Sequence, residues 1–420
     1  MRLVYSFRID QNDKAIYPKL EEMSRISKDL YNQALFEVKT HYKETKKILS
    51  YLSLDEIMKT KSNLEGNINY RLLPAQVAQQ TLRLLSANVN SFLKAKRDYL
   101  EHPEKYQSCP SFPQYLPKNG HFVVIFTNQK ASIKEDGTIK LTKEASLSIP
   151  QKEFLKLKEY FIKMEDGKII PLFQQIRIVP KFNVFFFNVE IIYEKDEEHP
   201  EVDVNRVASI DLGVNNLITL VDNKMDEEDR KPVIINGRPI KSINQFYNKK
   251  RASVQSINEQ KTSKKLTKLT DWRNKKISDY MHKTSRFVIN YCLDNKIGHI
   301  VIGYNKEWKQ EINLGKRNNQ NFVAIPFNRL IQQIQYKAQL VGIQVTIEEE
   351  SYTSKCSALD LETIGKHDDH AYAGKRVKRG LFRTALGILI NADVNGALNI
   401  LRKVIGDTFL KPFLKKVNQL

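Results

Sequence analysis

Residues 209–222 read SIDLGVNNLITLVD. The Ile, Leu and Val of this run describe a strand that ought to be buried. Asp211 and Gly213 interrupt it near its start. A carboxylate placed in such a strand pays for its desolvation unless it is paired or holds a metal. Asp211 therefore needs partners from other parts of the chain.

Two further acidic clusters stand at element ends downstream. Glu348, Glu349 and Glu350 close the strand GIQVTIEEE, and Asp393 lies in INADVNGALNI at the start of a helix. Taken singly each has a plain explanation: a turn residue at Asp211, a solvated strand end at the glutamates, an N-terminal cap beside Asn391. Together they are the oxygen donors that hard Mg²⁺ ions require, and two ions so held activate a water and steady a leaving oxygen.

The elements around these acids alternate in type. KPVIINGRPI reads as a further strand pair, 241–294 as two long helices rich in Lys, Arg and Gln, and GHIVIGYN as a short apolar strand. A helix over about 327–341 follows, then GIQVTIEEE, a basic loop-like stretch over 352–388, and a last helix from near Asn391. This pattern predicts an α/β domain with a mixed sheet. Upstream, MRLVYSFRID alternates as a half-buried strand, 18–60 and 74–100 carry helical periodicity, and CPSFPQYLPKNG breaks it with three prolines and a glycine. From residue 121 short strands separated by turns predict a small antiparallel barrel or sandwich that the first strand joins. The charged connector EKDEEHPEVDVNR marks a boundary near residue 205. The fold class is thus multidomain α+β.

The 420 residues carry 68 Lys and Arg against 48 Asp and Glu, a net charge of +20. Such an excess points to a polyanionic partner. Three scattered cysteines, Cys109, Cys292 and Cys356, exclude a disulfide framework and a four-cysteine zinc site. No apolar run approaches the ~18 residues of a membrane span. A soluble, intracellular protein with no membrane partner is expected. The densest basic segments are the helical ones, with Lys249, Lys250, Arg251, Lys264, Lys265, Arg273, Lys275 and Lys276, and the loop of Lys375, Arg376, Lys378, Arg379 and Arg383. Lys309, Lys316 and Arg317 are interleaved with Tyr304, Trp308 and Phe322, a composition suited to stacking on a single strand.

ASIDLGVNNLITL, NQNFVAIPFNRLIQQIQYKAQLVGIQVTIEEESYTSKCS and INADVNGALNIL resemble the C-terminal half of the insertion-sequence-encoded TnpB (OrfB) proteins. These are ancestors of type V CRISPR effector nucleases, with a RuvC-like, RNase H-type nuclease domain. LPAQVAQQTLRLL and SFPQY resemble that family's N-terminal helical segment, so the resemblance spans almost the whole chain. It implies a wedge-like β-barrel over 1–10 and 120–205, a helical recognition insert over 11–119, and a RuvC-like domain over 206–420. Within the last, 352–390 would be a degenerate zinc-ribbon-like, target-loading segment. The implied activity is RNA-guided DNA cleavage, with a guide RNA from the element's own end, a double-stranded DNA target beside a short flanking motif, and two Mg²⁺ ions.

The resemblance assigns Asp211 and Asp393 as catalytic metal ligands but is uneven between them. The family's middle glutamate follows an apolar strand such as HIVI, and here that position is Gly303. A subset of the family carries the acid on the strand leading into YTSK, which fits EEESYTSKCS. Glu350 is the first choice for it, Glu349 the alternative, and Glu307 a third candidate. Many relatives also follow TSK with two CxxC pairs that bind zinc. Here only Cys356, His367 and His370 remain, and no zinc is expected. Gly303 leaves open a nuclease-inactive, RNA-guided DNA-binding repressor. The charge alone would also suit an RNA-binding factor without a DNA target.

Overall fold

The computed structural model describes residues 1–198, 200–257, 263–305, 324–367, 372–378, 380–412 and 414. Glu307, Trp308, Lys309, Lys316, Arg317, Phe322, His370 and Arg379 lie outside the described residues. The chain divides into two compact units, Met1–Lys195 and Asp196–Leu420. Among the described residues no helix is long and apolar enough to cross a membrane.

In the first unit, β1 (Arg2–Asp10) is followed by α1 (Tyr17–Thr45), α2 (Tyr51–Met58) and α3 (Ala75–Glu101). Next come the strands β2 (Val124–Thr127), β3 (Ser132–Ile133), β4 (Thr138–Lys140) and β5 (Ser146–Ser148). Helix α4 (Gln151–Phe161) leads to β6 (Ile162–Glu165), β7 (Lys168–Pro171), β8 (Gln175–Lys181) and β9 (Phe186–Glu194). β1 pairs with β9 along its whole length, so the first strand joins those after the helices, and the four-stranded order is β1-β9-β8-β2. β3 to β5 and β6 with β7 form two separate small sheets. Helix α4 was not foreseen between strands. Its Phe154 and Phe161 are fully buried in the core shared by sheet and helices.

The second unit is built on β10 (Asp203–Leu212), β11 (Asn216–Asp222), β12 (Val233–Asn236), β13 (Ile297–Gly303) and β14 (Gln344–Glu348). Their order is β12-β11-β10-β13-β14. The first three run antiparallel, and β10, β13 and β14 run parallel to one another. Helices α5 (Arg238–Ile257), α6 (Lys264–Asp294), α7 (Phe327–Gln339) and α8 (Ala392–Ile405) complete it with a three-stranded sheet, β15 (Lys375–Lys378), β16 (Leu381–Arg383) and β17 (Leu389–Asn391).

Two expectations change here. KPVIINGRPI gives one strand, because the chain turns at Gly237 and Arg238 already begins α5. The stretch 352–388 is not only loop: Lys375–Lys378 and Leu381–Arg383 pair as antiparallel strands, with Phe382 buried.

The run 209–222 is two strands and not one, since β10 ends at Leu212 and β11 begins at Asn216 and pairs back on it, and its apolar residues are explained by cover on both faces. Ala208, Ile210 and Leu212 pack with Met281 and Val288 of α6 and with Leu330 and Ile334 of α7. Val207 of the other face packs with Val301 and with Ala397, Ile400 and Leu401 of α8. Side chains alternate along a strand. Asp211 therefore falls on the α8 face, two residues beyond Ser209, whose Oγ donates to Ala397 O at 2.6 Å.

Candidate active site

Asp211, Glu350 and Asp393 come from three different elements and line one cleft of about 220 Å³. Asp211 is near the end of β10, Glu350 two residues past the end of β14, and Asp393 in the first turn of α8. Asn391 caps that helix by accepting from Asp393 N and Val394 N, which leaves the Asp393 carboxylate free of the capping task. Asn216 Nδ2 donates to Asp393 Oδ2 at 2.7 Å, and Arg376 Nη2 stands 4.0 Å from Asp393 Oδ1.

Among the described residues, neither the Asp211 nor the Glu350 carboxylate accepts a hydrogen bond. Burial, and then the like charges of Glu350 and Asp393, push the Asp211 carboxyl well above the usual carboxylate range, against a smaller pull from Arg376. Burial, and then Glu349, raise Glu350 to about 7, while Lys403 acts in the opposite direction. Thr219, opposite Asp211 in the β10–β11 ladder, lines the same cleft with a buried Oγ1 that has no hydrogen-bond partner. Half-buried acids that repel one another, beside an orphaned hydroxyl, fit cations held by oxygen donors.

Two glycines make room for these carboxylates. A Cβ on Gly396 of α8 would stand 2.7 Å from Asp211 Oδ2. A Cβ on Gly303 would stand 2.4 Å from Ile400 Cδ1 and 3.2 Å from Glu350 Oε2. The parallel register places Ile302 beside Ile210, so Gly303 is the neighbour of Asp211 across the sheet. The Glu350 carboxylate thus reaches the space in front of the strand end where the sequence has a glycine.

The segment behind Glu350 is fixed from α8. Asn399 Nδ2 donates to Thr353 O and Cys356 O at 2.9 and 2.7 Å, and Asn395 bridges Cys356 O and Ala358 N. Thr353 Oγ1 donates to Glu350 O at 2.8 Å. Glu349 turns away: its backbone carbonyl accepts from Lys403 Nζ, its carboxylate lies 3.8 Å from the same amine, and its side chain is 64% exposed.

The basic residues fall into distinct settings. Lys375 and Arg376 line a groove of about 630 Å³ with Lys355, Tyr372 and Phe382, and this groove shares Ser354 and Arg376 with the acidic cleft. Lys378 and Arg383 are exposed on the same strand pair. Lys249, Lys250, Arg251, Lys264, Lys265, Lys275 and Lys276 are exposed on α5 and α6, with Lys275 paired to Asp271. Arg273 is used inside the unit, donating to Asn244 Oδ1 and Ala324 O. Sequence reasoning did not single out Asn216, Thr219, Lys355 or Tyr372. Only the polar start of the otherwise apolar β11 hinted at Asn216.

Cys356, Glu362 and His367 offer three donor atoms within 4.8 Å of one another. They do not fit the family's zinc. The Cys356 thiol, raised by burial, donates to Thr363 O and Gly365 O. Glu362 accepts from Ser357 N at 2.6 Å and Ala373 N at 3.0 Å, and His367 Nε2 lies 2.7 Å from Thr363 O. Each donor is already engaged in closing the loop, and among the described residues no fourth joins them.

The family model OrfB_IS605, described as a probable transposase, matches residues 190–309, and the Cas12f1-like TNB domain model matches 327–400. Asp211 falls in the first match, and Glu350 and Asp393 in the second. The TnpB-like protein ORF457 of Acidianus two-tailed virus is 26% identical over 223 residues. Over these segments the chain is similar to TnpB-like proteins. The ORF457 match covers 48% of the chain and 42% of that relative. The CRISPR-associated endodeoxyribonuclease Cas12f2 of Micrarchaeota archaeon (strain CG1_02_47_40) is 27% identical over 224 residues, covering 50% of the chain and 39% of that protein. The chain thus matches less than half the length of these two curated relatives. Among solved structures, the Cas12f1–sgRNA–target DNA complex matches with a TM-score of 0.55 at 14% identity, over 92% of this chain and 82% of that one. That likeness is one of fold, a mixed α/β multidomain architecture.

Proposed function

We propose that this chain is an RNA-guided DNA endonuclease of a transposable element, and that its second unit is a RuvC-like, RNase H-type domain in which Asp211, Glu350 and Asp393 hold two Mg²⁺ ions. The observation that carries the reading is the meeting of three acids from separate elements in one cleft, two of them without a hydrogen-bond donor among the described residues. The strand order, with the Asp211 strand central, antiparallel to β11 on one side and parallel to β13 on the other, supports it. So do the relatives, one of which is named an endodeoxyribonuclease.

In this reading bound Mg²⁺ supplies polarisation of the scissile phosphate and acidification of a water. The chain's own residues hold and aim. Asn216 fixes the rotamer of Asp393 through a 2.7 Å hydrogen bond, and Gly396 leaves the room that Asp211 occupies. Arg376, Lys375 and Lys355 line the adjoining groove with positive charge, where they attract the phosphates on either side of the cut. Asn399 anchors the turn that delivers Glu350. The guide RNA comes from the element's end and pairs with one strand of double-stranded DNA, while the protein reads a short flanking motif. The exposed lysines of α5 and α6 are assigned to the nucleic-acid backbone, residues 1–10 and 120–205 to a wedge-like barrel, and 11–119 to the recognition insert.

Gly303 favours a second reading, a repressor that binds under RNA guidance without cutting. Plasmid cleavage in Mg²⁺ by the chain purified with RNA from its own locus, beside Asp211→Ala, separates the two. Cutting that Asp211→Ala abolishes supports the nuclease. Tight guided binding with no cutting by either protein supports the repressor.

A further inference from the structure

The first unit carries a pocket that the cleavage reading leaves unused. It has a volume of about 430 Å³ and lies between the C-terminal half of α1 and the loop at 112–115, lined by Phe36, Lys39, Tyr42, Lys43, Phe112 and Tyr115 among others. Phe36 and Tyr115 are 57% and 47% exposed, an uncommon outlay of aromatic surface. The ring of Phe112 is backed by Tyr42 and Phe92, with centroids 5.9 and 5.0 Å away. Lys39 Nζ stands 4.3 Å from the Tyr115 centroid and 5.8 Å from that of Phe112.

The charge around the pocket is predominantly positive. The stretch KTHYKETKK, 39–47, carries four lysines against one glutamate. Glu37, the preceding acid of the helix, is taken by Lys61 at 3.2 Å, and among the described residues none of Lys39, Lys43, Lys46 and Lys47 is in an ion pair. The core of a protein interface is depleted in lysine. Flat rings interleaved with free ammonium groups match the faces and phosphates of an unpaired nucleic-acid strand.

We infer that this pocket takes an unpaired nucleobase of a single-stranded nucleic acid, stacked on Phe36 and Tyr115, with Lys39 and Lys43 on the neighbouring phosphates. The inference rests on the chain's being a nucleic-acid binder and goes beyond the cleavage site. The test is fluorescence anisotropy of the full-length chain with short labelled oligothymidylate and oligouridylate across a salt series, the two probes distinguishing a DNA strand from an RNA strand. Phe36→Ala and Tyr115→Ala should each weaken the preferred probe about tenfold, with an unchanged salt slope, while Tyr115→Phe retains affinity. Lys43→Gln should instead lower the slope by about one phosphate contact. The two rim substitutions should leave the melting temperature unmoved, and a 4-thiouridine probe should crosslink within 36–43 or 112–115. Wild-type binding that neither rim substitution weakens overturns the pocket and leaves the nucleic-acid reading standing. Failure of the wild type to bind either probe overturns both. A rim substitution that turns a dimer into a monomer with binding intact reassigns the patch to a second copy of the chain and overturns the inference.

Discussion

Gly303 and Glu350 compete for one space: a Cβ on the glycine would stand 3.2 Å from Glu350 Oε2 and 2.4 Å from Ile400 Cδ1. Absence of a side chain at 303 and presence of an acid at 350 are thus two halves of one arrangement. Gly303→Ala should destabilise the protein by about 1–3 kcal/mol, because Ile400 is fully buried and cannot retreat without disturbing the α8 core. Urea unfolding without metal measures this, and an unchanged midpoint would contradict it.

Gly396→Ala tests the opposite wall. Its Cβ would lie 2.7 Å from Asp211 Oδ2, and what yields is the end of a short side chain. The substitution should cost little stability yet reduce cleavage about 10–100-fold, since a ligand displaced by a fraction of an ångström is a ligand weakened. Thermal melting and cleavage rates on the same preparation separate the two effects.

Ionisation of Glu350 and Asp211 should make the metal-free protein less stable at pH 8 than it would be with neutral side chains at those positions. The folded-state value of Glu350 is raised from 4.5 to about 7, so its contribution to stability is fully present below 4.5 and is lost as the pH rises through 7. Asp211, raised by burial and by its neighbours, acts in the same direction. With chelator present, Glu350→Gln should melt higher than wild type at pH 8, and the difference should close toward pH 4.5. Mg²⁺ should raise the wild-type melting temperature more at pH 8 than at pH 6, because only the ionised carboxylate binds it.

Asn399→Ala should cost roughly 2–3 kcal/mol, because two buried carbonyls, Thr353 O and Cys356 O, lose their donor. Cleavage by the folded fraction should fall as well, because the turn that presents Glu350 loses its anchor. Full activity per folded molecule would show that Glu350 is positioned by other means.

These relationships were unequally legible in the sequence. The doubly buried strand around Asp211 was readable because its two faces, packed on α6 and α7 and on α8, both demand apolar residues. Helix α4 was missed because it is short and wedged between strands, with only Phe154 and Phe161 fully buried and Leu157 and Tyr160 packed partly against the core. The β15–β16 strand pair was hidden by its charge, four exposed residues in β15 against a single buried Phe382 in β16. Glu349 and Glu350 could not be told apart before the strand's end was known, since β14 stops at Glu348 and the alternation of faces no longer applies. Asn216 and Thr219 act through pairing between strands, which no local pattern records.

The most direct measurement is the rate of guided DNA cleavage in Mg²⁺ by wild type, Glu350→Gln and Glu349→Gln under one guide. The account predicts a loss of more than about 100-fold for Glu350→Gln and a change of only a few-fold for Glu349→Gln. Undiminished cutting by Glu350→Gln, or a greater loss for Glu349→Gln, would contradict it.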